Sequence, residues 1–380
     1  MPQIPGLSRF TIVGAGAMGC LFAARLAEAG AAVTLVDVDA KRLALLARDG
    51  ITLHDDHAER TVRIGTALAG DAVGPADVIM LFTKGMHSRD AIASVAHLAG
   101  QRPLAVTLQN GLGNAELLAG TFGNDRVIMG VTDFPSDLQG PTTVSSHGQG
   151  HIAIGGFAAG LADECTALAE RFNTSGLATH VAQDIRVAVW EKVAFNAALN
   201  SIATVTGMTN GGMDRAGGKD LICAIANEVV DTAQKLGIAA DRDRVHSRLD
   251  FALSNHRDHK PSMLQDRLAG RRTEIESING AVVRIAREAG LAVPHTAALA
   301  HLVRMIEMGA GLKWAHLAIA ATWGMGHGAW AWGMGMGHGH GRQPQAHAAG
   351  RTSDWKKCGF MPHANQQVSA NCDEADWPTA

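Results

Sequence analysis

Val13-Gly14-Ala15-Gly16-Ala17-Met18-Gly19 carries a GxGxxG spacing between a β-branched run and an apolar helical one. Alone the spacing is a weak signal. Between a strand and a helix it marks a dinucleotide site. Gly14 permits the tight turn, Gly16 lets the backbone approach a pyrophosphate, and Gly19 lets helix and strand pack closely. The residues from Gly14 through Ala15, Gly16, Ala17 and Met18 to Gly19 then make the cofactor loop. The helix N-terminus adds free N–H groups and a partial positive charge for the phosphates. Asp37 closes the next strand about 20 residues later, where a carboxylate accepts hydrogen bonds from the adenine ribose hydroxyls. It repels a 2′-phosphate and so favours NAD(H) over NADP(H), although Lys41 and Arg42 lie close enough to meet a phosphate. The plainer readings are a ligand-free glycine turn and an Asp that caps the helix starting near Asp39.

A second constellation lies in the segment from Val189 to Asn200, VWEKVAFNAALN. Lys192, Asn196 and Asn200 stand at i, i+4 and i+8, so a helix presents them on one face. The remainder is largely apolar. A lysine on such a helix needs partners or a wet cleft, because burying an unpaired charge is costly. A solvated face with incidental asparagines is the bland alternative. Further on, KPSMLQD (260–266) and RRTEIESING (271–280) offer Ser262, a donor to a carboxylate, and Glu274, placed here at a helix start where its charge suits the dipole.

The elements that must position these residues follow from pattern. Strands are expected at 9–14, 32–37, 78–82 and 104–108, and helices at 17–29, 39–49, 87–99 and 112–119. The alternation implies a parallel sheet covered by helices. From about 134 to 156 the pattern is short and glycine-punctuated, as in an antiparallel addition to the sheet. After about 184 the chain reads as helices alone, at 186–204, 219–236, 241–255, 274–289 and 295–308. The expected architecture is therefore an α/β Rossmann-type dinucleotide-binding domain (1–183), an all-helical substrate domain (184–312) and a low-complexity, disordered tail (313–380). The tail holds ATWGMGHGAWAWGMGMGHGHG (321–341), and no charge stands between Trp314 and Gly341. That raises a membrane span, but each Gly weakens a helix by roughly 1 kcal/mol relative to Ala, and histidines interrupt the run. Its His and Met could bind copper or nickel. The plainer expectation is that they bind nothing.

Composition narrows the classes. The chain has 380 residues, 47% of them hydrophobic, enough for two domains with sizeable cores. A formal charge of −3 offers no basic excess for nucleic acid. Five cysteines without CxxC spacing suggest neither a disulfide framework nor a zinc site. The opening MPQIPGLSRF lacks the apolar stretch of a secretory leader, so a cytoplasmic protein is expected. There is no tyrosine, which excludes the Tyr–Lys proton relay of short-chain dehydrogenases.

Taken together, GxGxxG, Thr83-Lys84 after a strand, Gln109-Asn110-Gly111, the Lys192/Asn196/Asn200 helix and SMLQD followed by RRTEIESING resemble the ketopantoate reductase family, over about residues 9–308. The resemblance implies a Rossmann domain joined to a helical domain, with substrate in the cleft between them. It implies Lys192 as general acid, Glu274 as the partner of a substrate hydroxyl, and Asn196, Asn200 and Ser262 as substrate-lining residues. Asn110, at the substrate too, and Lys84 would border the nicotinamide end. NADP(H) is the family's usual cofactor. The chain departs in carrying Asp37 where NADPH users have a basic or small residue, and His259 where a substrate-binding Asn is common three residues before the Ser.

The implied reaction reduces 2-dehydropantoate to pantoate on the vitamin B5 (pantothenate) route, with no metal. Hydride from the nicotinamide attacks the C2 carbonyl, and a cationic donor stabilises and protonates the oxygen. A free lysine has a pKa near 10.4, and desolvation lowers it towards a better acid. Two alternatives stand beside this reading: an NAD-dependent 2-hydroxyacid dehydrogenase for another 2-oxo acid, and a non-catalytic dinucleotide-binding regulator. The expected partners are a small-molecule 2-oxo acid and at most a second copy of the chain, in a homodimer.

Overall fold

The β-branched run at residues 9–13 forms the buried centre of a sheet because strands on both sides hydrogen-bond to it. The structure, a computed structural model, describes residues 6–322 except Ala216, with side chains followed as far as Gly309. Its contacts gather Met1–His316 into one compact unit.

In chain order the first part contains β1 (Arg9–Val13), α1 (Ala17–Glu28), β2 (Ala32–Asp37), α2 (Ala40–Asp49), β3 (Ile51–Asp55), β4 (Glu59–Val62), β5 (Gly65–Leu68), β6 (Val78–Leu81), α3 (Ser88–Val95), β7 (Leu104–Thr107) and α4 (Asn114–Phe122). It continues with β8 (Val127–Thr132), β9 (Asp137–Leu138), β10 (Thr143–Ser146), β11 (Ile152–Gly156), α5 (Ala162–Thr174) and β12 (Thr179–Val181). Among the described residues, eight strands make the main sheet in the order β12-β11-β8-β7-β6-β1-β2-β5. It is parallel from β5 to β8, as the alternating pattern implies, and β11 is antiparallel to β8.

The expected antiparallel addition is only partly in this sheet. β11 joins it, whereas β9 and β10 join β3 and β4 in a separate sheet of order β4-β3-β10-β9. That sheet packs on α1. Covered on two sides, α1 buries Gly19 through Ala24 and Leu26, which is why AMGCLFAARLAE is apolar nearly all round. The two are pinned by Asp55, whose side chain is 2% exposed and pairs with Arg25 at 2.7 Å and Arg60 at 2.9 Å. Arg60 foremost holds the Asp55 carboxyl well below the usual range.

Between Val181 and Ile185 the chain turns from strands to helices. These are α6 (Ile185–Thr206), α7 (Asn210–Met213), α8 (Gly218–Lys235), α9 (Arg242–Asn255), α10 (Ser262–Leu268), α11 (Asn279–Glu288) and α12 (Pro294–Thr322). Asp184 caps α6 by accepting from the Arg186 N–H at 3.0 Å. α6 then packs on α8, α9 and α10 and on β8 and β11, so it ties the helices to the sheet. Two expectations need correction. The helix expected from 274 starts at Asn279, and Glu274 lies in the turn before it. The last helix continues past Met308 to Thr322. The Gly/Met/His/Trp tract beyond Thr322 lies outside the described residues. Among those described, no helix is long and apolar enough to cross a membrane.

Candidate active site

β1 delivers its chain into Gly14 at φ +107°, a backbone region that a side chain strains. A Cβ there would also lie 2.9 Å from both the Phe82 carbonyl carbon and the Thr83 nitrogen. On Gly19 a Cβ would penetrate the Gly14 carbonyl oxygen. Gly16 is different: among the described residues nothing beyond its own helix and chain neighbours lies within 4 Å of the position its Cβ would take. Gly16 is also the N-cap of α1 and makes no side-chain cap bond, so the first N–H groups of the helix have no side-chain acceptor. Beside the loop, the buried Thr83 hydroxyl has no hydrogen-bond partner among the described residues. Two glycines forced by packing, a third facing open space, and an orphaned hydroxyl suit a pyrophosphate-bearing group.

Asp37 faces this loop. Its Oδ2 accepts from the Ala15 N–H at 2.6 Å and its Oδ1 from Val38 at 2.8 Å and Asp39 at 3.1 Å. Asp39, not Asp37, caps α2, accepting from the N–H groups of Lys41 and Arg42. Arg42 turns towards the small sheet, where Nε donates to the Pro141 carbonyl at 2.8 Å and Nη2 reaches the Cys20 sulfur at 3.5 Å. Burial pushes the Cys20 thiol up to about 11 despite that guanidinium.

On α6, the Lys192 Nζ donates to the Thr132 carbonyl at the end of β8, at 2.5 Å. The residue keeps some surface, but its ammonium is packed among protein atoms, and this desolvation pulls it down to about 8. Asp133 and Glu274 oppose the shift and Arg248 of α9 reinforces it. Asn196 is partly buried and Asn200 is 3% exposed, and neither amide has a side-chain partner among the described residues.

Glu274 is brought to the same place from the turn before α11. Its Oε1 accepts from the Gly85 N–H at 3.3 Å and its Oε2 from Asn110 Nδ2 at 3.5 Å. Burial raises its proton affinity, against the Gly85 hydrogen bond and the nearby Lys84. Lys84 itself pairs with Asp266, which also pairs with Arg271 at 3.0 Å. The Leu112 N–H donates to the Ser277 carbonyl at 2.8 Å. That contact needs Gly111, because a Cβ there would overlap the Ser277 carbonyl.

Of the sequence-derived residues, Lys192, Glu274, Asn110 and Lys84 are thus drawn together by contact or charge. Asn196 and Asn200 follow Lys192 on its helix. Ser262 is exposed at the first position of α10, and among the described residues no hydrogen bond or ion pair ties it to that group. Sequence reasoning assigned no role to Asp266, although a carboxylate in a buried position of SMLQD was a signal that a cation must meet it. It also missed the support beneath Asn110. Gln109 Nε2 donates to the Thr83 carbonyl and to Ser88 Oγ, and Ser88 Oγ donates to Asn114 Oδ1 at 3.0 Å.

Comparison with known proteins agrees with this geometry. The family model "Ketopantoate reductase PanE/ApbA" matches residues 10–159, and its C-terminal counterpart matches residues 184–307. The chain is 31% identical to a 2-dehydropantoate 2-reductase of Halobacterium salinarum, covering 79% of this chain and 99% of that protein. It is 32% identical to one of Pyrococcus horikoshii, over 80% and 99%. Among solved structures, D-mandelate dehydrogenase with NADH and anilino(oxo)acetate superposes with TM-score 0.77 at 25% identity, covering 80% of this chain and 99% of that one. A 2-dehydropantoate 2-reductase from Geobacter metallireducens superposes with TM-score 0.74 at 28% identity, over 78% and 99%. With both of its family models matched in sequence order and solved members sharing its fold, the chain belongs to the ketopantoate reductase PanE/ApbA family.

Proposed function

We propose that the protein reduces 2-dehydropantoate to pantoate, with residues 1–183 seating the dinucleotide and residues 184–312 supplying the acid and most substrate contacts. The observation that carries this reading is the convergence of Lys192 and Glu274, from the helical part, with Gly85 and Asn110, from the sheet part. A nicotinamide dinucleotide supplies a hydride to C2 of the 2-oxo acid when bound. Lys192 holds its proton towards the oxygen that becomes negative, stabilises that charge and then gives up the proton. Its lowered pKa suits both tasks near neutral pH. Glu274 accepts a hydrogen bond from the substrate's distal hydroxyl. Asn196, Asn200 and Ser262 orient the 2-oxo acid, and Asn110 and Lys84 border the nicotinamide end. NADH is used at least as well as NADPH, a reading supported by Asp37 lying against the glycine loop. Steady-state kinetics with both dinucleotides against ketopantoate and a panel of other 2-oxo acids tests the proposal. No turnover of ketopantoate would overturn it.

One observation favours a second reading. The structural neighbour that holds NADH and anilino(oxo)acetate is a D-mandelate dehydrogenase, and this chain carries Asp37 and His259 where the family pattern differs. The same panel decides: higher kcat/KM on an aryl or branched 2-oxo acid without a distal hydroxyl would favour NAD-dependent 2-hydroxyacid dehydrogenase activity.

A further inference from the structure

The helical part contains a cavity of about 500 Å³ that the proposed reaction does not use. It lies among Thr204 near the end of α6, the segment after α10, and α12. Among the described residues four arginines line it, Arg267, Arg271, Arg272 and Arg304, against two carboxylates, Glu276 and Glu307. Three of the arginines are committed. Arg267 donates to the Thr204 carbonyl, Arg271 pairs with Asp266, and Arg304 pairs with both oxygens of Glu276 at 2.6 and 2.8 Å. Glu307 is committed as well, accepting from the Thr273 N–H and hydroxyl at 2.7 Å each. Arg272 is exposed and has no hydrogen-bond or ion-pair partner among the described residues. With Arg271 matched by Asp266, the described lining keeps one positive charge in excess, and the Arg272 guanidinium makes no hydrogen bond, although its charge is felt by Glu276.

Its volume falls within the range of about 300–1,000 Å³ usual for small-molecule sites. A planar guanidinium matches phosphate oxygens two at a time, and a phosphomonoester carries close to two negative charges at neutral pH. We propose that this cavity is a second ligand site, taking a small phosphorylated molecule whose anionic group is held by Arg272 with help from Arg271. Its occupancy would be felt at the candidate active site. A phosphate competing for Arg271 leaves Asp266 to its other partner, Lys84, and Thr273 of the cavity wall directly precedes Glu274.

The test is calorimetric titration of inorganic pyrophosphate into the full chain saturated with dinucleotide, so that the glycine loop is already filled. The expected result is saturable single-site binding that weakens at least tenfold in Arg272→Ala, about 1.4 kcal/mol. It should persist in Arg287→Ala, which removes an exposed arginine of α11 outside the cavity. An unchanged melting temperature of ligand-free Arg272→Ala shows that its fold is intact. The proposal is overturned by absence of saturable binding to the wild type at millimolar pyrophosphate. Unaltered binding to Arg272→Ala, or an equal loss in both variants, also overturns it.

Discussion

Lys192 shows how burial can make one side chain act in opposite senses on activity and on stability. Its ammonium is pulled down to about 8 from the ordinary 10.5 because protein atoms replace its water. If it is the proton donor, kcat for reduction should fall as pH rises through about 8, where the proton is lost. Stability should move the other way. Between about 8 and 10.5 the unfolded chain binds more protons than the folded one, so the Lys192 contribution rises with pH across that window. Lys192→Ala should lower kcat by roughly 10²–10⁴-fold with little change in dinucleotide affinity, and should remove the limb near pH 8. Near-normal turnover in this variant would make Lys192 structural. Glu274→Ala should harm ketopantoate, which has a distal hydroxyl, far more than 2-oxo acids lacking one. Equal losses on both would take Glu274 out of substrate recognition. Asp37→Ser should raise kcat/KM for NADPH and lower it for NADH, because a carboxylate about 4 Å from a phosphate charge costs roughly 4 kcal/mol at an effective dielectric near 20 before screening. A wild-type preference for NADPH above about tenfold, or roughly 1.4 kcal/mol, would show that neighbouring basic groups read the 2′-phosphate.

Individual elements divide in the same way between packing and ligand. The turn from β1 into α1 holds two glycines of unlike duty, which a pair of variants can separate. Gly19→Ala drives a Cβ into the Gly14 carbonyl and should cost about 1–3 kcal/mol of stability, as overpacking does. Gly16→Ala meets no atom of another element within 4 Å among the described residues, so its melting temperature should stay close to the wild type while KM for the dinucleotide rises. If both variants lost stability equally and bound cofactor equally well, the open face of Gly16 would not be a phosphate seat. α5 and the β3–β4 hairpin were missed in the sequence, but not for lack of signal. Leu161, Cys165, Leu168 and Phe172 make a buried stripe at helical spacing, and Ile51, Leu53 and Asp55 alternate inwards. The hairpin is hard to read because its inward Asp55 is polar, and only the pairing with Arg25 and Arg60 makes that burial tolerable.

Across the whole molecule, the contacts that create the candidate site are among those that hold the sheet to the helices, beside the packing of α6 on β8 and β11. Lys84 reaches Asp266, Gly85 and Asn110 reach Glu274, and the Leu112 N–H reaches the Ser277 carbonyl. All of them lie within Met1–His316. Truncation after His316 should therefore leave the melting temperature and kcat within error of the full chain, measured side by side. A large loss in either would show that later residues support the core.

The sequence by itself determined the glycine loop, the α6 face bearing Lys192, Asn196 and Asn200, and the change from alternating strands and helices to helices alone. These are local properties, set by residue spacing and by the periods of 2 and 3.6 that strands and helices impose. It also carried Asp37 to the end of β2. Whether Asp37 or Asp39 caps the following helix depended on which oxygen meets which N–H group, and the fold gave the cap to Asp39. The tertiary structure alone decided that Glu274 sits in a turn rather than opening a helix, and that it meets an N–H 189 residues away at Gly85. It alone set the lowered proton affinity of Lys192 and the raised affinity of Glu274, because desolvation is a property of what surrounds a group in space. Neighbours brought together over such distances along the chain leave no periodicity to read. They exist only once the sheet and the helices have packed.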